Sequence, residues 1–261
     1  MTGISRSTYY YLLGNKTDKD AEVKAKIEEI YHKHRGRYGY RRITLELHNQ
    51  GIIINHKKVQ RLMHVLGLQS MVRIKKYRSY KGEVGKIAPN VLNRNFAATK
   101  PNQKWVTDIT EFSLFGQKLY LSPILDLYNG EIVSYNVQKR PTQSLVEDML
   151  KKAEPIMKGN PGLLFHSDQG FHYQSWRYQA FLREKETVQS MSRKGNCLDN
   201  SPMENFFGLL KSELLYLQKF DSLEHFTEEL HEYIRYYNND RIKGKLKGMT
   251  PVQYRLSSLA A

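Results

Sequence analysis

The feature that most constrains the fold of this chain is a run of three strand-like segments that begins at Lys104. The segments cover residues 104–114, 117–125 and 131–138. Tight connections at Phe115-Gly116 and at Tyr128-Asn129-Gly130 separate them, as between consecutive strands that pair antiparallel. The sequence therefore predicts a three-stranded antiparallel unit in the middle of the chain.

After the third segment the pattern changes to an alternation of helices and strands. Leu145, Val146, Met149 and Leu150 lie at helical spacing and predict a helix over residues 142–157. The further elements predicted are a strand at 162–168, a helix at 175–185, a strand at 187–192, a helix from Ser201 and a helix at 222–237. Together the two patterns are typical of an α/β fold in which helices cover both faces of one sheet.

The N-terminal region has a helical pattern instead. Val23, Ile27 and Ile30 lie on one face of a helix predicted over residues 18–35. A second helix follows Gly39, and a third follows Asn55, which is a favourable N-cap. Two short helices joined by a turn, the second with basic first turns, are typical of a helix-turn-helix domain. An ordinary helical hairpin with a solvated basic face is the alternative.

Positive charge is concentrated in the first part of the chain. The net charge is +15, and residues 1–103 hold 21 Lys and Arg against 7 Asp and Glu, while the remainder holds 20 against 19. Residues 69–103, with 8 basic residues and 1 acid, are interpreted as a basic linker that lies along a phosphate backbone. This asymmetry favours a nucleic-acid partner, and a ribosome-associated or merely well-solvated surface is the alternative.

The bulk composition excludes several classes of protein. A single cysteine, Cys197, rules out an internal disulfide framework and is compatible with a reducing compartment. No apolar run reaches the roughly 18 residues that a membrane helix needs, and residues 1–14 have no apolar signal core. The expected location is the cytoplasm.

Three acidic residues stand out by their placement. Asp108 lies inside the first predicted strand, where a carboxylate is unfavourable unless a cation or donor satisfies it. Asp168 lies where the fourth strand ends, and Glu204 lies in the first turn of a helix, with 35 residues between the two. Three carboxylates that converge from two strands and a helix could hold two Mg²⁺ ions about 4 Å apart.

Each acid also has a structural interpretation. Asp108 could accept hydrogen bonds from neighbouring threonines, and Asp168 before Gln-Gly could be a turn residue. Glu204 could close a capping box with Ser201, with Pro202 at the first helical position. Taken singly, none of the three is diagnostic, and the hypothesis of a metal site depends on the set.

The set and its surroundings resemble the bacterial insertion-sequence transposases of family three, in their second-frame (OrfB) form, with a retroviral-integrase-like Asp-Asp-Glu core. The matching strings are Trp-Val-Thr-Asp-Ile-Thr at 105–110, His-Ser-Asp-Gln-Gly at 166–170 and Ser-Met-Ser-Arg-Lys-Gly-Asn-Cys-Leu-Asp-Asn-Ser-Pro-Met-Glu at 190–204. Further similar strings are Arg-Tyr-Gly-Tyr-Arg-Arg-Ile at 37–43, Tyr-Tyr-Asn-Asn-Asp-Arg at 236–241 and Met-Thr-Pro-Val-Gln-Tyr at 249–254. The resemblance covers nearly the whole chain.

The resemblance implies an α/β fold: a ribonuclease-H-like five-stranded mixed sheet flanked by helices, preceded by an all-α helix-turn-helix domain. The expected domains are a helix-turn-helix-like domain (1–68), the basic linker (69–103), an integrase-like catalytic core (104–220) and a C-terminal helix with a basic tail (221–261). The implied activity is metal-dependent DNA cleavage and strand transfer, with Asp108, Asp168 and Glu204 holding two Mg²⁺ or Mn²⁺ ions. The sequence contains no phosphate-cradling Gly-rich loop followed by Lys-Ser/Thr.

Secondary assignments concern DNA contacts. Lys211 lies two turns after Glu204 on the same helix face, and the resemblance implies a DNA contact there, with a solvated lysine as the alternative. The other expected DNA-binding residues are Arg193, Lys194, Lys57, Lys58, Arg61, Arg41 and Arg42. His166 and Asn200 flank the acids and are interpreted as structural polar groups, and Cys197 as a bystander.

The resemblance also implies partners: mobile-element ends and target DNA, the product of a first reading frame (OrfA), and further copies of the chain in a multimer on DNA near the bacterial nucleoid. Two competing hypotheses are a non-enzymatic DNA-binding regulator derived from a transposase and a stand-alone ribonuclease-H-like nuclease. The regulator would be expected to have lost one of the three acids, and all three are present. The nuclease would leave the basic first part of the chain unexplained.

Overall fold

The computed structural model describes residues 18–71 and 87–259 of the chain. The chain divides into two compact units, Met1–Ser70 and Met71–Ala261. Part of the predicted basic linker, residues 72–86, lies outside the described residues. No helix within the described ranges is long and apolar enough to cross a membrane.

Within residues 18–70, the N-terminal unit has three helices that share one small core. They are α1 (Ala21–Lys33), α2 (Tyr40–Asn49) and α3 (His56–Val65). Each helix buries apolar residues of the stripe that its spacing predicts, although Val23 is only half-buried; the buried side chains are Ile27, Ile30, Ile43, Leu47, Val59, Leu62 and Met63. Asn55 caps α3 as expected, because its side chain accepts the backbone N–H of Lys57 at 2.8 Å.

The second unit is built on one mixed sheet. Its strands are β1 (Lys104–Thr107), β2 (Thr110–Leu114), β3 (Gln117–Asp126), β4 (Ile132–Gln138), β5 (Leu164–Ser167) and β6 (Val188–Met191). The pairs β1–β3, β2–β3 and β3–β4 are antiparallel, whereas β1–β5 and β5–β6 are parallel. Both β1 and β2 pair with β3 along its length, so the six strands occupy five positions and the expected five-stranded mixed sheet is confirmed.

The prediction of one continuous strand over residues 104–114 is wrong at its centre. The strand is interrupted at Asp108 and Ile109. The Asp108 Oδ1 atom accepts the backbone N–H of Ile109 at 2.7 Å, so this amide bonds to the side chain rather than to the strand ladder. Because of this interruption, the direction of the Asp108 side chain does not follow the alternation of side chains along a regular strand.

Helices cover both faces of the sheet, as predicted. One face packs against α4 (Gln143–Lys158), the short α5 (Phe171–Gln174) and α6 (Trp176–Glu184), with Trp105 and Phe165 at its centre. The other face packs against α7 (Ser201–Leu210) and α8 (Leu223–Asn239). The sequence patterns predicted neither α5 nor a final helix, α9 (Pro251–Leu259).

A π-helical turn, Lys211–Leu215, continues α7. Within it, Glu213 is buried and forms a two-pronged ion pair with the buried guanidinium of Arg241, with both N–O distances at 2.7 Å. The hydroxyl of Tyr233 donates to the same carboxylate at 3.0 Å. Such a turn inserts one residue into the helix and is often found next to functional sites.

Part of the segment predicted as a linker packs within the second unit. Leu92 is buried in the core cluster that includes α7 and α8, and its backbone N–H donates to the hydroxyl of Ser190 at 3.0 Å. Asn90 and Arg94 bond the buried carboxylate of Asp199. Residues 90–94 are therefore fixed against β6 and the turn after it, because they contribute an apolar side chain and polar contacts that composition alone does not reveal.

Candidate active site

The side chains of Asp108 and Asp168 lie at the same edge of the sheet. Asp108 follows β1 and Asp168 follows β5, and these two strands are parallel neighbours with Val106 opposite His166. Two residues further along each strand, Asp108 and Asp168 are consequently at the same level. The sheet itself brings the first two predicted acids together, at a strand end where α/β folds commonly place their sites.

The two carboxylates repel each other in a partly buried environment. Burial raises the pKa of Asp108 well above its usual range, and the negative charge of Asp168 raises it further. The hydrogen bond from Ile109 opposes this rise, Glu204 adds to it and Lys211 opposes it. Burial also raises the pKa of Asp168, against the hydrogen bond from the Gly170 amide and the influence of His172. A cation at this edge would relieve the repulsion.

Glu204 approaches the pair from α7. The helix begins at Ser201 with Asn200 as its N-cap, and no side-chain cap hydrogen bond forms there. A capping box with Ser201 requires Ser201 to be the N-cap, whereas Ser201 is already the first helical residue, and the charge of Glu204 acts on Asp108. The Asn200 Nδ2 group donates to the carbonyl of Thr107 at 3.0 Å and so ties the start of α7 to the residue before Asp108.

The three acids match the donor preference of a hard divalent cation. All are carboxylates, and burial raises the pKa of two of them, Asp108 and Asp168. As they stand, however, no three His, Cys, Asp or Glu side chains in residues 18–71 and 87–259 form a group that could hold a metal ion. The donor chemistry fits such an ion, while the side chains are not yet gathered around one.

Lys211 faces the same edge of the sheet. Its pKa is lowered by burial, and the negative charges of Asp108 and Glu111 oppose that effect. Its Nζ atom lies 5.8 Å from the centre of the Phe112 ring. Lys211 is thus close enough to the acids to interact with them, at the point where α7 passes into the π-helical turn.

The loop between β6 and α7 is organised around Asp199. This carboxylate is fully buried and accepts hydrogen bonds from Arg193 N, Arg193 Nε and Arg193 Nη2 at 2.7–3.0 Å, and from Arg94 Nε at 2.8 Å. Arg193 holds the pKa of Asp199 well below its usual range. Arg193 is therefore engaged within the protein, while Lys194 is exposed.

Three family models match the chain. A model of an integrase core domain matches residues 98–197, a second integrase core model matches residues 204–259, and a model of a helix-turn-helix-like domain matches residues 17–76. Asp108 and Asp168 lie in the first match, and Glu204 is the first residue of the second.

Close relatives cover most of the chain. The putative transposase InsK of the insertion sequence element IS150 from Escherichia coli K12 is 55% identical over 254 residues, which are 97% of this chain and 90% of the relative. This chain belongs to the insertion-sequence transposases. A transposase-like protein of Haemophilus influenzae is 55% identical over 208 residues, 80% of this chain and 96% of the relative. The transposase InsF of IS3A from Escherichia coli K12 is 34% identical over 227 residues, 86% of this chain and 78% of the relative.

Solved structures support the fold. The catalytic core domain of HTLV-2 integrase, determined in complex with magnesium, superposes with a TM-score of 0.51 at 21% identity, over 61% of this chain and 99% of that one. A chain of the simian T-cell lymphotropic virus intasome, determined with a PP2A regulatory subunit, superposes with a TM-score of 0.50 at 19% identity, over 89% of this chain and 74% of that one. The integrase-core fold expected for a transposase of this family is confirmed.

The helix-turn-helix-like unit of the transposase presents its basic residues in different ways. Lys57 is exposed in the first turn of α3. Lys58 and Arg61 both contact the carboxylate of Asp20, at 2.7 and 2.8 Å. In α2, Arg41 Nε donates to the hydroxyl of Tyr40 at 3.1 Å, and Arg42 lies over the ring of Tyr38 at 5.5 Å. Intramolecular contacts thus already engage several of the residues predicted to bind DNA.

His166, a polar residue near the acids, has structural partners in the transposase. His166 is fully buried and its ring nitrogens lie 2.9 and 3.0 Å from the hydroxyls of Ser190 and Ser192. Burial lowers the pKa of His166 to about 4, so the ring is neutral at pH 7. The side chain of Cys197 lies outside the described part of the chain.

Sequence reasoning missed the roles of Asp199 and Asp20. Each has a partner far away in sequence: Arg94 is 105 residues from Asp199, and Arg61 is 41 residues from Asp20, although Arg193 is only six residues from Asp199. Asp199 lies inside a string that resembles the family, which could have drawn attention to it. Asp20 lies outside every such string.

Proposed function

We propose that this transposase cleaves DNA strands and joins them to new DNA in a metal-dependent reaction at Asp108, Asp168 and Glu204. The observation that carries this proposal is the pairing of β1 with β5, which holds two mutually repelling carboxylates at one edge of an integrase-type core. Mg²⁺ or Mn²⁺ ions, when bound, would supply an activated oxygen nucleophile and stabilise the leaving oxygen of a phosphodiester.

The protein's own residues divide the remaining tasks. Asp108 and Asp168 supply carboxylate oxygens from neighbouring strand ends, and Glu204 supplies a third carboxylate from α7. Lys211, which interacts with Asp108, is suited to contact a DNA phosphate beside the acids. Lys194 extends this positive surface. Arg193 does the same when its side chain leaves Asp199 and contacts a phosphate instead.

The same proposal gives the helix-turn-helix-like unit a role in DNA binding and includes the partners of the chain. Lys57, Lys58, Arg61, Arg41 and Arg42 bind the phosphates of element ends or target DNA. We further propose that a first-frame product assists recognition of the element ends and that several copies of the chain act together on DNA. A multimer would allow the two ends of an element to be cleaved as a pair.

The direct test is strand cleavage and joining on labelled element-end DNA with Mg²⁺ or Mn²⁺, comparing wild type with Glu204→Gln. The substitution keeps the size of the side chain and removes the ligand charge. We expect strand joining to fall by at least about 100-fold, because a metal ligand contributes several kcal/mol to the transition state. DNA affinity and thermal stability should stay close to those of wild type.

The same assay separates the competing functions. Hydrolysis of the ends without joining by the wild-type protein would indicate a nuclease. Binding without either reaction, in the presence of the first-frame product, would indicate a DNA-binding regulator. Equal activity of wild type and Glu204→Gln would contradict the assignment of Glu204 to the site.

The contacts of Asp20 lead to a prediction for DNA binding. Asp20→Asn keeps a good N-cap residue at the start of α1 but removes the charge that holds Lys58 and Arg61. Because both cations then become free to meet phosphate, we expect DNA affinity at low salt to rise by about 3- to 10-fold. Fluorescence anisotropy over a series of salt concentrations measures this change.

Glu22→Gln is the matched control for this variant. It removes one negative charge from the same helix turn, at an exposed residue. We expect its DNA affinity to change less than about twofold, because this substitution leaves the ion pairs of Asp20 with Lys58 and Arg61 in place. An equal effect of the two variants would show that only net charge matters and that the ion pairs of Asp20 do not limit binding.

A further inference from the structure

The buried ring of Tyr173 lies beside Asp168, and its hydroxyl has no role in the site as described above. Tyr173 belongs to α5, the short helix after Asp168, and its side chain is 1% exposed. Its hydroxyl makes no hydrogen bond of good geometry with the described residues. Buried polar atoms of this kind are rare in folded proteins, and each one calls for a bound water, an ion or a functional role to explain it.

The loop after Asp168 brings this ring close to the carboxylate. The backbone N–H of Gly170 donates to Asp168 Oδ1 at 2.9 Å, and its carbonyl accepts the backbone N–H of Tyr173 at 3.0 Å. A Cβ atom on Gly170 would lie 3.0 Å from Asp168 Oδ1 and 3.4 Å from Cδ2 of the Tyr173 ring. One glycine therefore separates the carboxylate from the ring, and a larger residue would push them apart.

Electrostatic interactions connect the hydroxyl to both acids. Burial raises the pKa of Tyr173 far above its usual range, and the charges of Asp108 and Asp168 raise it further. Thr107, the residue before Asp108, also interacts with this hydroxyl. A phenol is an ordinary hydrogen-bond donor at neutral pH, whereas carboxylates are acceptors.

Tyr173 and Glu204 come from opposite faces of the sheet. Tyr173 packs in the core cluster with α4 and α6, whereas Met203 and Phe206, on either side of Glu204, pack in the cluster with α8. The strand ends that carry Asp108 and Asp168 therefore have a third carboxylate on one side and an uncharged donor on the other. A donor placed behind metal-binding carboxylates fixes their orientation.

We propose that Tyr173 is a positioning residue that donates its hydroxyl hydrogen to a carboxylate oxygen of the Asp108–Asp168 pair when divalent cations are bound. Among the described residues this hydroxyl has no hydrogen-bond partner of good geometry. With divalent cations bound, the carboxylates would turn so that one of their oxygens comes within reach of the hydroxyl. This inference rests on the proposed function, because it assumes that the pair binds cations.

Tyr173→Phe in the full-length chain tests the inference, because it removes the hydroxyl and keeps the ring. Since the hydroxyl has no good partner in the metal-free protein, the Tm without metal should stay the same or rise slightly. Affinity for Mn²⁺, measured by calorimetric titration without DNA, should fall about 10- to 100-fold. The increase in Tm that Mn²⁺ produces should shrink in parallel. A purely structural tyrosine would show the opposite pattern.

Tyr178→Phe is the matched control. The Tyr178 hydroxyl is equally buried and also lacks a good hydrogen bond within the described residues, and its ring lies 5.4 Å from that of Tyr173. Of the two strand-end acids, only Asp168 influences its pKa. We expect this variant to bind Mn²⁺ within about twofold of wild type.

Titration of Asp108→Asn with Mn²⁺ distinguishes the proposed metal site from the proposed role of Tyr173. If wild type binds Mn²⁺, Asp108→Asn does not and Tyr173→Phe binds like wild type, the metal site stands and the role of Tyr173 is refuted. A Tyr173→Phe protein that loses metal-free stability but keeps its Mn²⁺ affinity would also refute it. If wild type binds no Mn²⁺, the proposed function fails and the inference fails with it.

Discussion

Asp108→Asn is expected to abolish strand cleavage while making the metal-free protein more stable. The carboxylate is destabilised in the folded state by burial and by the charge of Asp168, so a neutral isostere removes an unfavourable interaction. We expect the Tm without metal to rise by about 2–4 °C, as ~1 kcal/mol produces in a chain of this size. Cleavage should fall by about 1,000-fold or more, because about 4 kcal/mol of transition-state stabilisation is lost.

The dependence of stability on pH tests whether Asp108 destabilises the folded state. A carboxyl group whose pKa is raised in the folded state binds its proton more tightly there than in the unfolded chain. Stability of the metal-free wild type should therefore decrease as the pH rises from about 3.8, the ordinary pKa of Asp, through the raised pKa of Asp108. In Asp108→Asn this part of the decrease should be absent, as denaturant unfolding at a series of pH values would show.

Asp221→Asn is a suitable control, because it makes the same chemical change at a side chain that is 94% exposed. Its stability and its cleavage activity should match those of wild type. A lower Tm of Asp108→Asn in the absence of metal would contradict the repulsion between Asp108 and Asp168. Retained cleavage would contradict the proposed role of Asp108.

Arg241→Met is expected to cause the largest loss of stability. The Arg241 side chain is 2% exposed and forms two hydrogen bonds with the carboxylate of Glu213, which is 1% exposed. Methionine fills a similar volume but leaves a buried carboxylate with the hydroxyl of Tyr233 as a remaining donor. Breaking a buried pair in this way typically costs about 3–5 kcal/mol, and we expect the free energy of unfolding to fall by that amount.

Two further variants define the cause of that loss. The double variant Glu213→Leu with Arg241→Met replaces both charges by apolar groups, and it should recover most of the stability. Arg235→Met removes the exposed ion pair with Glu232 on α8 and should cost less than about 1 kcal/mol. If the double variant were as unstable as the single one, packing rather than the unpaired charge would be the cause. Urea denaturation of the three variants and wild type measures these differences.

The sequence was sufficient to predict the sheet apart from the interruption at Asp108, whereas the convergence of all three acids around a cation stays a prediction. Asp108 and Asp168 each follow an apolar strand, and parallel neighbouring strands end at the same edge, so the pairing of β1 with β5 brings them together. The helix carrying Glu204 was predicted from its apolar stripe and its Pro202. These features are local, and local patterns are read directly from the order of residues.

The features that could not be predicted depend on contacts between distant residues. The first strand is interrupted because the Ile109 amide bonds to the Asp108 side chain rather than to a neighbouring strand. Strand periodicity does not show which of these two partners the amide takes. The partners of Asp20 and the docking of Leu92 against β6 are likewise set by the assembled fold. The sequence shows Tyr173 only as an aromatic residue near Asp168, because burial of its hydroxyl follows from packing.

The parallel pairing of β1 with β5 also bears on the order of folding. The antiparallel strands β1 to β4 are joined by short turns, whereas Trp105 pairs with Phe165 only after the intervening chain has folded back. Contacts between residues so far apart in sequence form late, since the entropy of closing a long loop must be overcome first. We therefore expect Asp108 and Asp168 to meet in one of the last steps of folding. A nascent or partly folded transposase would then be unable to cut the DNA from which it is being expressed.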